Sequence, residues 1–250
     1  RDITRRSSEE ERKRRYQDVL EMLLRGAPMH DILHQIAINA ESGDRNMLCS
    51  ILVLDESGRR LFNGASPSLP EFYNEALDGL EIGPTVGSFG AAAYLGKAVH
   101  VEDVMEHPHW ESFRELSMEA GLRACWSEPI TGSDGRVLGT FAIYCRTPRL
   151  PTPAEKDRIL SMSSLAGIAL ERSRSEATLR EQNRSFELLK RVAMSANEAN
   201  SVEDALSACA RQITETLGFD CAHLYLLDEE LISVGERDRW LILDPSIAHL

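Results

Sequence analysis

Five cysteines and seven histidines are the residues of this chain best suited to covalent or metal chemistry. Cys49, Cys125, Cys145, Cys209 and Cys221 are odd in number and contain no C-x-x-C spacing. That pattern argues against a disulfide framework or a zinc site and fits a reducing cytoplasm. A reactive thiol needs a lowered pKa and access to solvent. Cys125 falls in Ala124–Ile130, a strand-like run, and Cys49 and Cys145 fall in similar runs. Free cysteine at such positions packs as a small core residue before it does anything else. His100, His107 and His109 are the histidines to weigh as haem or metal ligands. His100 alternates along a short strand, and His107-Pro-His109 opens a helix, where polar side chains commonly cap. Haem is the minor reading, and no metal is expected. No Ser/His/Asp ordering carries the context of nucleophilic catalysis.

The elements that would position these residues centre on Gly121–Arg172. Ala124–Ile130 and Val137–Tyr144 read as two strands around the turn Gly132-Ser-Asp-Gly135. Thr152-Pro-Ala-Glu155 is a capping box with proline at the first helical position. Upstream, residues 7–24 read as a helix stopped by Gly26 and Pro28, and a second helix covers Asp31–Ala40. Met47–Leu54 is apolar enough for a central strand covered on both faces, and Arg59–Asn63 is its return. Ser68-Leu-Pro-Glu71 predicts a second capping box on a short helix ending at Gly79. Gly83–Gly90 reads as a glycine-rich loop, Ala98–Val101 as a short strand, and His109–Ala120 as a helix with Trp110, Phe113 and Leu116 inward.

The 250 residues carry a net charge of −12, with 42% apolar and 27% charged residues. This is ordinary globular composition. No apolar run reaches membrane-spanning length, and an acidic chain without a basic patch is a poor nucleic-acid binder. Arg1-Asp-Ile-Thr is not a natural start, so the chain is expected to be excised from a longer protein.

From Pro153 to about Asn197 the sequence predicts one helix, about 65 Å long at 1.5 Å per residue. Leu165, Ile168, Leu179, Phe186 and Leu189 fall on a 3-4 seam along it, weakened by Arg172, Ser175 and Gln182. The expectation is a homodimeric coiled coil, although an amphipathic helix packing on its own domain gives the same spacing. An internal repeat is also visible. Asp31-Ile-Leu33 recurs as Asp204-Ala-Leu206, and Leu54-Asp-Glu56 as Leu227-Asp-Glu229, both 173 residues on.

Gly87-Ser-Phe-Gly-Ala-Ala-Ala-Tyr-Leu-Gly-Lys-Ala-Val-His-Val-Glu-Asp103 resembles the middle of a GAF domain. Gly121-Leu-Arg-Ala-Cys-Trp-Ser-Glu-Pro-Ile130, the exit through Tyr144 and Pro151, and Leu165–Arg172 continue the likeness. The resemblance covers residues 28–172; residues 199–250 resemble the opening of a second GAF domain, and residues 1–6 the last strand of a PAS domain. Residues 7–27 and 173–198 would then be linker helices. The resemblance implies an α+β fold: an antiparallel sheet of about six strands, helices on both faces, and long connecting signalling helices. It also implies a bacterial PAS/GAF signalling protein whose covalently linked output domain, a histidine kinase or a cyclic-di-GMP enzyme, lies beyond Leu250.

Known GAF chemistries are then testable on residues. Cys125 resembles the catalytic position of the free methionine sulfoxide reductases, but Phe89 stands where they carry another cysteine. Bilin attachment is excluded because no Cys-His dipeptide occurs, and the cyclic-nucleotide pattern is absent. Glu75-Ala-Leu77 is an accidental match to the EAL phosphodiesterase signature. The resemblance places a pocket for an unidentified small ligand between the sheet and its cover. Its walls would be Tyr73, Phe89, Tyr94, Trp110, Phe113, Cys125, Trp126 and Tyr144, with Ser88, Asp103, Ser127 and Glu128 as polar anchors. A filled core without ligand is the alternative use of the same aromatics.

Overall fold

The structure, a computed structural model, describes residues 2–42, 44, 46–198, 201–217, 224–226 and 239–241, with side chains over 13–42, 44, 46–195, 197, 201 and 204–212. Residues Arg1–Ser175 make one compact unit and Glu176–Leu250 a second.

The first unit is built on a six-stranded antiparallel sheet in the order β3-β2-β1-β6-β5-β4. Its strands are β1 (Met47–Leu54), β2 (Arg60–Ala65), β3 (Leu80–Glu81), β4 (Val99–Val101), β5 (Ala124–Thr131) and β6 (Val137–Cys145). The α+β class expected from the sequence is the one observed. β1 and β6 are central and almost wholly buried, which is why both read as apolar runs rather than alternating ones. They approach so closely at Gly139 that a Cβ there would lie 2.2 Å from the Leu52 carbonyl oxygen.

One sheet face, bearing Cys49, Ile51, Trp126, Ile130, Phe141 and Ile143, packs against α1 (Asp2–Leu24), α2 (Met29–Glu41) and the first half of α6 (Pro153–Glu198). The opposite face, bearing Leu48, Leu52, Cys125, Ala142 and Tyr144, is covered by α3 (Glu71–Leu77), α4 (Gly87–Leu95), a 3₁₀ turn over Pro108–Phe113 and α5 (Arg114–Glu119). α1 stops where Gly26 turns to φ +74° and the Ala27 N–H reaches back to the Met22 carbonyl. The guanidinium of Arg172 on α6 donates to the Leu23 carbonyl at the same end and, at 3.4 Å, to that of Ala27. The capping box of α6 forms as its sequence predicts. The Thr152 N–H donates to Glu155 at 2.8 Å, and the Glu155 N–H donates back to the Thr152 hydroxyl at 3.3 Å.

Four local expectations are corrected. Residues 2–6 are helical within α1, not a strand. The Ser68 box does not form: Pro70 caps α3, which places Glu71 at the first helical position, and the Ser68 hydroxyl donates 2.6 Å to Glu41 instead. Gly87–Gly90 is not loop but the first turn of α4, whose residues 87–93 are all buried; packing overrides glycine's poor propensity. The helix expected over His109–Ala120 splits into the 3₁₀ turn and α5.

In the second unit, α7 (Val202–Leu217) starts 173 residues after α2, and β7 (Leu224–Leu226) pairs antiparallel with β8 (Arg239–Leu241). Helix followed by an antiparallel pair is the order of α2, β1 and β2. The breaks at Gly43 and Gly218, Cys221 and the repeated Leu227-Asp-Glu229 lie outside the described residues.

Candidate functional site

β5 decides which candidates share a face. Its odd residues Cys125 and Ser127 pair with Tyr144 and Ala142 and point under the cover, while its even residues Ala124, Trp126 and Ile130 point to the helical face. Beneath the cover lie Tyr73, Phe89, Trp110, Cys125 and Tyr144, with Phe113 partly buried against them, and Ser88 and Ser127 join them. Phe89 meets the Trp110 and Phe113 rings edge-on at 5.6 and 5.5 Å, and Tyr73 meets Tyr144 edge-on at 5.6 Å.

Buried hydroxyls thread this apolar interior. The Ser127 hydroxyl donates to Ser88 at 3.0 Å and stands 3.8 Å from the Cys125 Sγ. The Tyr144 and Ser50 hydroxyls share a hydrogen bond of 3.1 Å. The Tyr73 hydroxyl, the Ser117 hydroxyl and the Trp110 Nε1 are buried without a hydrogen-bond partner. Tyr144 and Ser117 are near enough to Tyr73 to influence it without meeting hydrogen-bond geometry. Burial pushes Tyr73 and Tyr144 well above the ordinary tyrosine value. Burial likewise pushes the Cys125 thiol up to about 12, partly offset by Ser88 and Ser127. Every titratable group here is held neutral, so the interior offers hydrogen bonds and apolar walls but no ionised nucleophile or base.

Four expected pocket residues lie elsewhere. Trp126 is on the helical face; its Nε1 donates to the Arg149 carbonyl at 3.0 Å, and the Arg149 guanidinium stacks 4.5 Å over its ring. Glu128 follows Trp126 in alternation and pairs with Phe141 on that face; burial raises its pKa. Tyr94 is 57% exposed at the end of α4. Asp103 forms an ion pair of 2.6 Å with Arg123 beside β4 and caps the Met105 N–H. Sequence reasoning missed Ser50 and Ser117. Ser50 is the lone polar residue of β1, two residues from both Leu48 and Leu52, and strict period-2 counting would have found it.

The thiols are divided by the sheet. Cys49 and Cys145 belong to the helical face, opposite Cys125, and burial raises both. His107 acts as a cap, its Nδ1 accepting the His109 N–H at 3.3 Å. Burial lowers the pKa of both His100 and His107. Among the described residues no group of three or more His, Cys, Asp or Glu side chains is placed to hold a metal ion, and no helix is long and apolar enough to cross a membrane.

The seam on α6 also divides. Leu165 is fully buried in the domain core and so is not available to a partner helix, whereas Ile168, Leu179, Phe186 and Leu189 are all more than half exposed. A surface cleft of about 790 Å³ lies between α1 and α6, lined in part by Tyr16, Leu20, Arg158 and Met162, and none of the interior candidates borders it.

These features have relatives. The chain is 39% identical over 185 residues to the methyl sulfide methyltransferase-associated sensor of Methanosarcina acetivorans, a match covering 74% of this chain and 18% of that protein. The chain thus spans about a fifth of the length of that relative. In structure it resembles the GAF domain of a phosphoenolpyruvate-protein phosphotransferase from Coxiella burnetii, with a TM-score of 0.55 and 14% identity over 67% of this chain and 96% of that one. It resembles the free methionine-R-sulfoxide reductase of Neisseria meningitidis in fold as well, with a TM-score of 0.50 and 17% identity over 66% of this chain and 89% of that one. Residues 27–171 match the GAF domain, and the chain belongs to that family.

Proposed function

We propose that this chain is the regulatory sensor module of a longer signalling protein. The GAF domain responds to a small uncharged ligand or to a neighbouring domain, and α6 carries its state to an output domain, a histidine kinase or a cyclic-di-GMP enzyme. One observation carries this reading. α6 is a single helix of 46 residues whose first half is core and whose second half bears exposed Leu179, Phe186 and Leu189 at heptad-like spacing. The relative named as a sensor supports it. The exposed seam favours a homodimer through α6, residues 199–250 supply the start of a second GAF domain, and the cysteine pattern favours a cytoplasmic setting.

Sedimentation of the chain with Leu179→Asp and Phe186→Asp tests the relay helix. The wild type is expected to be dimeric and the double variant monomeric, with unchanged thermal unfolding of the GAF domain. A monomeric wild type would remove the coiled-coil part of the reading.

The competing reading is a methionine sulfoxide reductase that uses Cys125. In its favour is the place of Cys125 on the interior face of β5. Against it are the burial of that thiol, its raised pKa and the location of Cys49 and Cys145 across the sheet.

A further inference from the structure

We propose that β5 is the strand through which the domain interior acts on α6, and that Ser163, Gly167 and Glu171 are the residues that lock strand and helix together. This rests on the sensor reading and assigns its route. β5 has two working faces. Cys125 and Ser127 on one side belong to the buried hydroxyl cluster. On the other side the strand and its turn meet α6 at three successive points.

The Ser163 hydroxyl donates to the Pro129 carbonyl at 3.0 Å. Gly167 lies against the Thr131 carbonyl oxygen so closely that a Cβ would come within 2.6 Å of it. Glu171 accepts from the Ser133 N–H at 3.2 Å and from the Ser133 hydroxyl. The partners advance by four residues on the helix and by two along the chain as β5 runs into its turn. Four helical residues rise about 6 Å, and two strand residues rise about 6.6 Å. The two repeats are therefore close to in step from the Ser163–Pro129 contact to the Gly167–Thr131 contact, and the turn that follows β5 brings Ser133 to Glu171. Glycine is needed at the middle contact because any side chain would force helix and strand apart.

Where this track ends, Arg172 holds the carbonyls at the end of α1 and Arg174 donates to the Leu54 carbonyl at the end of β1 at 2.6 Å. A shift of β5 along its own axis thus breaks three contacts at once or moves α6 with it. Packed elements with two discrete arrangements are the physical basis for coupling between distant sites.

The test is a mutant cycle on the whole chain, read by hydrogen exchange in the peptides covering residues 172–190. Ser127→Val perturbs the interior face of β5. Ser163→Ala with Glu171→Ala removes the polar contacts to α6, and Glu171→Met, which keeps the side-chain length but cannot accept these hydrogen bonds, serves where the pair lowers the melting temperature. Ser127→Val alone is expected to change exchange in these peptides by about fivefold or more, the lower end of ordinary allosteric coupling. In the unlocked background the same substitution is expected to leave them unchanged. An equal response in both backgrounds overturns the β5 route and leaves the sensor reading standing. No response in the locked chain overturns the relay itself.

Discussion

The thiol of Cys125 separates a sensor from a reductase most sharply. The perturbation is alkylation of the folded chain by iodoacetamide at pH 8, followed by mass spectrometry of the peptide that carries Cys125. Burial lifts this thiol from its ordinary 9.0 to about 12. At pH 8 a thiol with the ordinary value is about one-tenth thiolate, whereas one at 12 is about one part in ten thousand thiolate. The thiolate share alone makes the native side chain about a thousandfold slower than the same residue in urea. Complete burial in the cluster that includes Tyr73, Phe89 and Trp110 slows it further, because the reagent must wait for the domain to open. The expected result is negligible labelling of Cys125 in the native chain while the partly exposed Cys209 reacts. Native labelling of Cys125 within about tenfold of the denatured rate would refute the reasoning, since no buried neutral thiol reacts so fast.

Two further outcomes follow from the same geometry. Arg149 first, and then the Thr152 N–H and hydroxyl, hold Glu155 down to about 2 from its ordinary 4.5. Its contribution to stability is complete above pH 4.5 and is lost as the pH falls to about 2, amounting to on the order of 3 kcal/mol at most. Thermal melts of Glu155→Gln should therefore lie below wild type at pH 7 and converge with it in acid; a gap that stays constant with pH contradicts the assignment. Tyr73→Phe removes a buried hydroxyl without a partner and should stabilise the domain by about 1 kcal/mol in a denaturant titration. A loss of stability would place a bound partner at that hydroxyl.

The elements legible in the sequence were those specified locally. α6 announces itself by the Thr152–Glu155 box and by the absence of glycine and proline after Gly167. β5 and β6 show as apolar runs around a turn whose Gly135 takes φ +79°. The phase of β5 was not legible. Alternation identifies the inward face only when the outward face is polar, and here Ala124, Cys125, Trp126 and Ser127 are all buried. Sequence pattern alone therefore points Trp126 to the pocket, whereas its indole serves the helical face. Ser68 and Glu71 satisfy the capping pattern, yet Glu41, 27 residues away, takes the serine, and no local motif records that competition. The seam on α6 failed at Leu165 for a similar reason. Core packing and partner packing use one spacing, and only exposure tells them apart.

The arrangement around Arg149 gives α6 the mechanics of an arm on a fixed pivot. This side chain stacks on Trp126, pairs with Glu155 at 2.9 Å and anchors the first turn of the helix to the sheet. The 18 residue steps from Pro153 to Glu171 span about 27 Å. Turning that length by about 5° about the pivot displaces the far end by about 2.4 Å, close to the full length of a hydrogen bond. The Glu171–Ser133 contact cannot stretch by so much. A tilt of a few degrees would thus leave two outcomes, strand carried along or contact released, and under the proposed relay a graded disturbance in the domain would become a two-position signal at its exit.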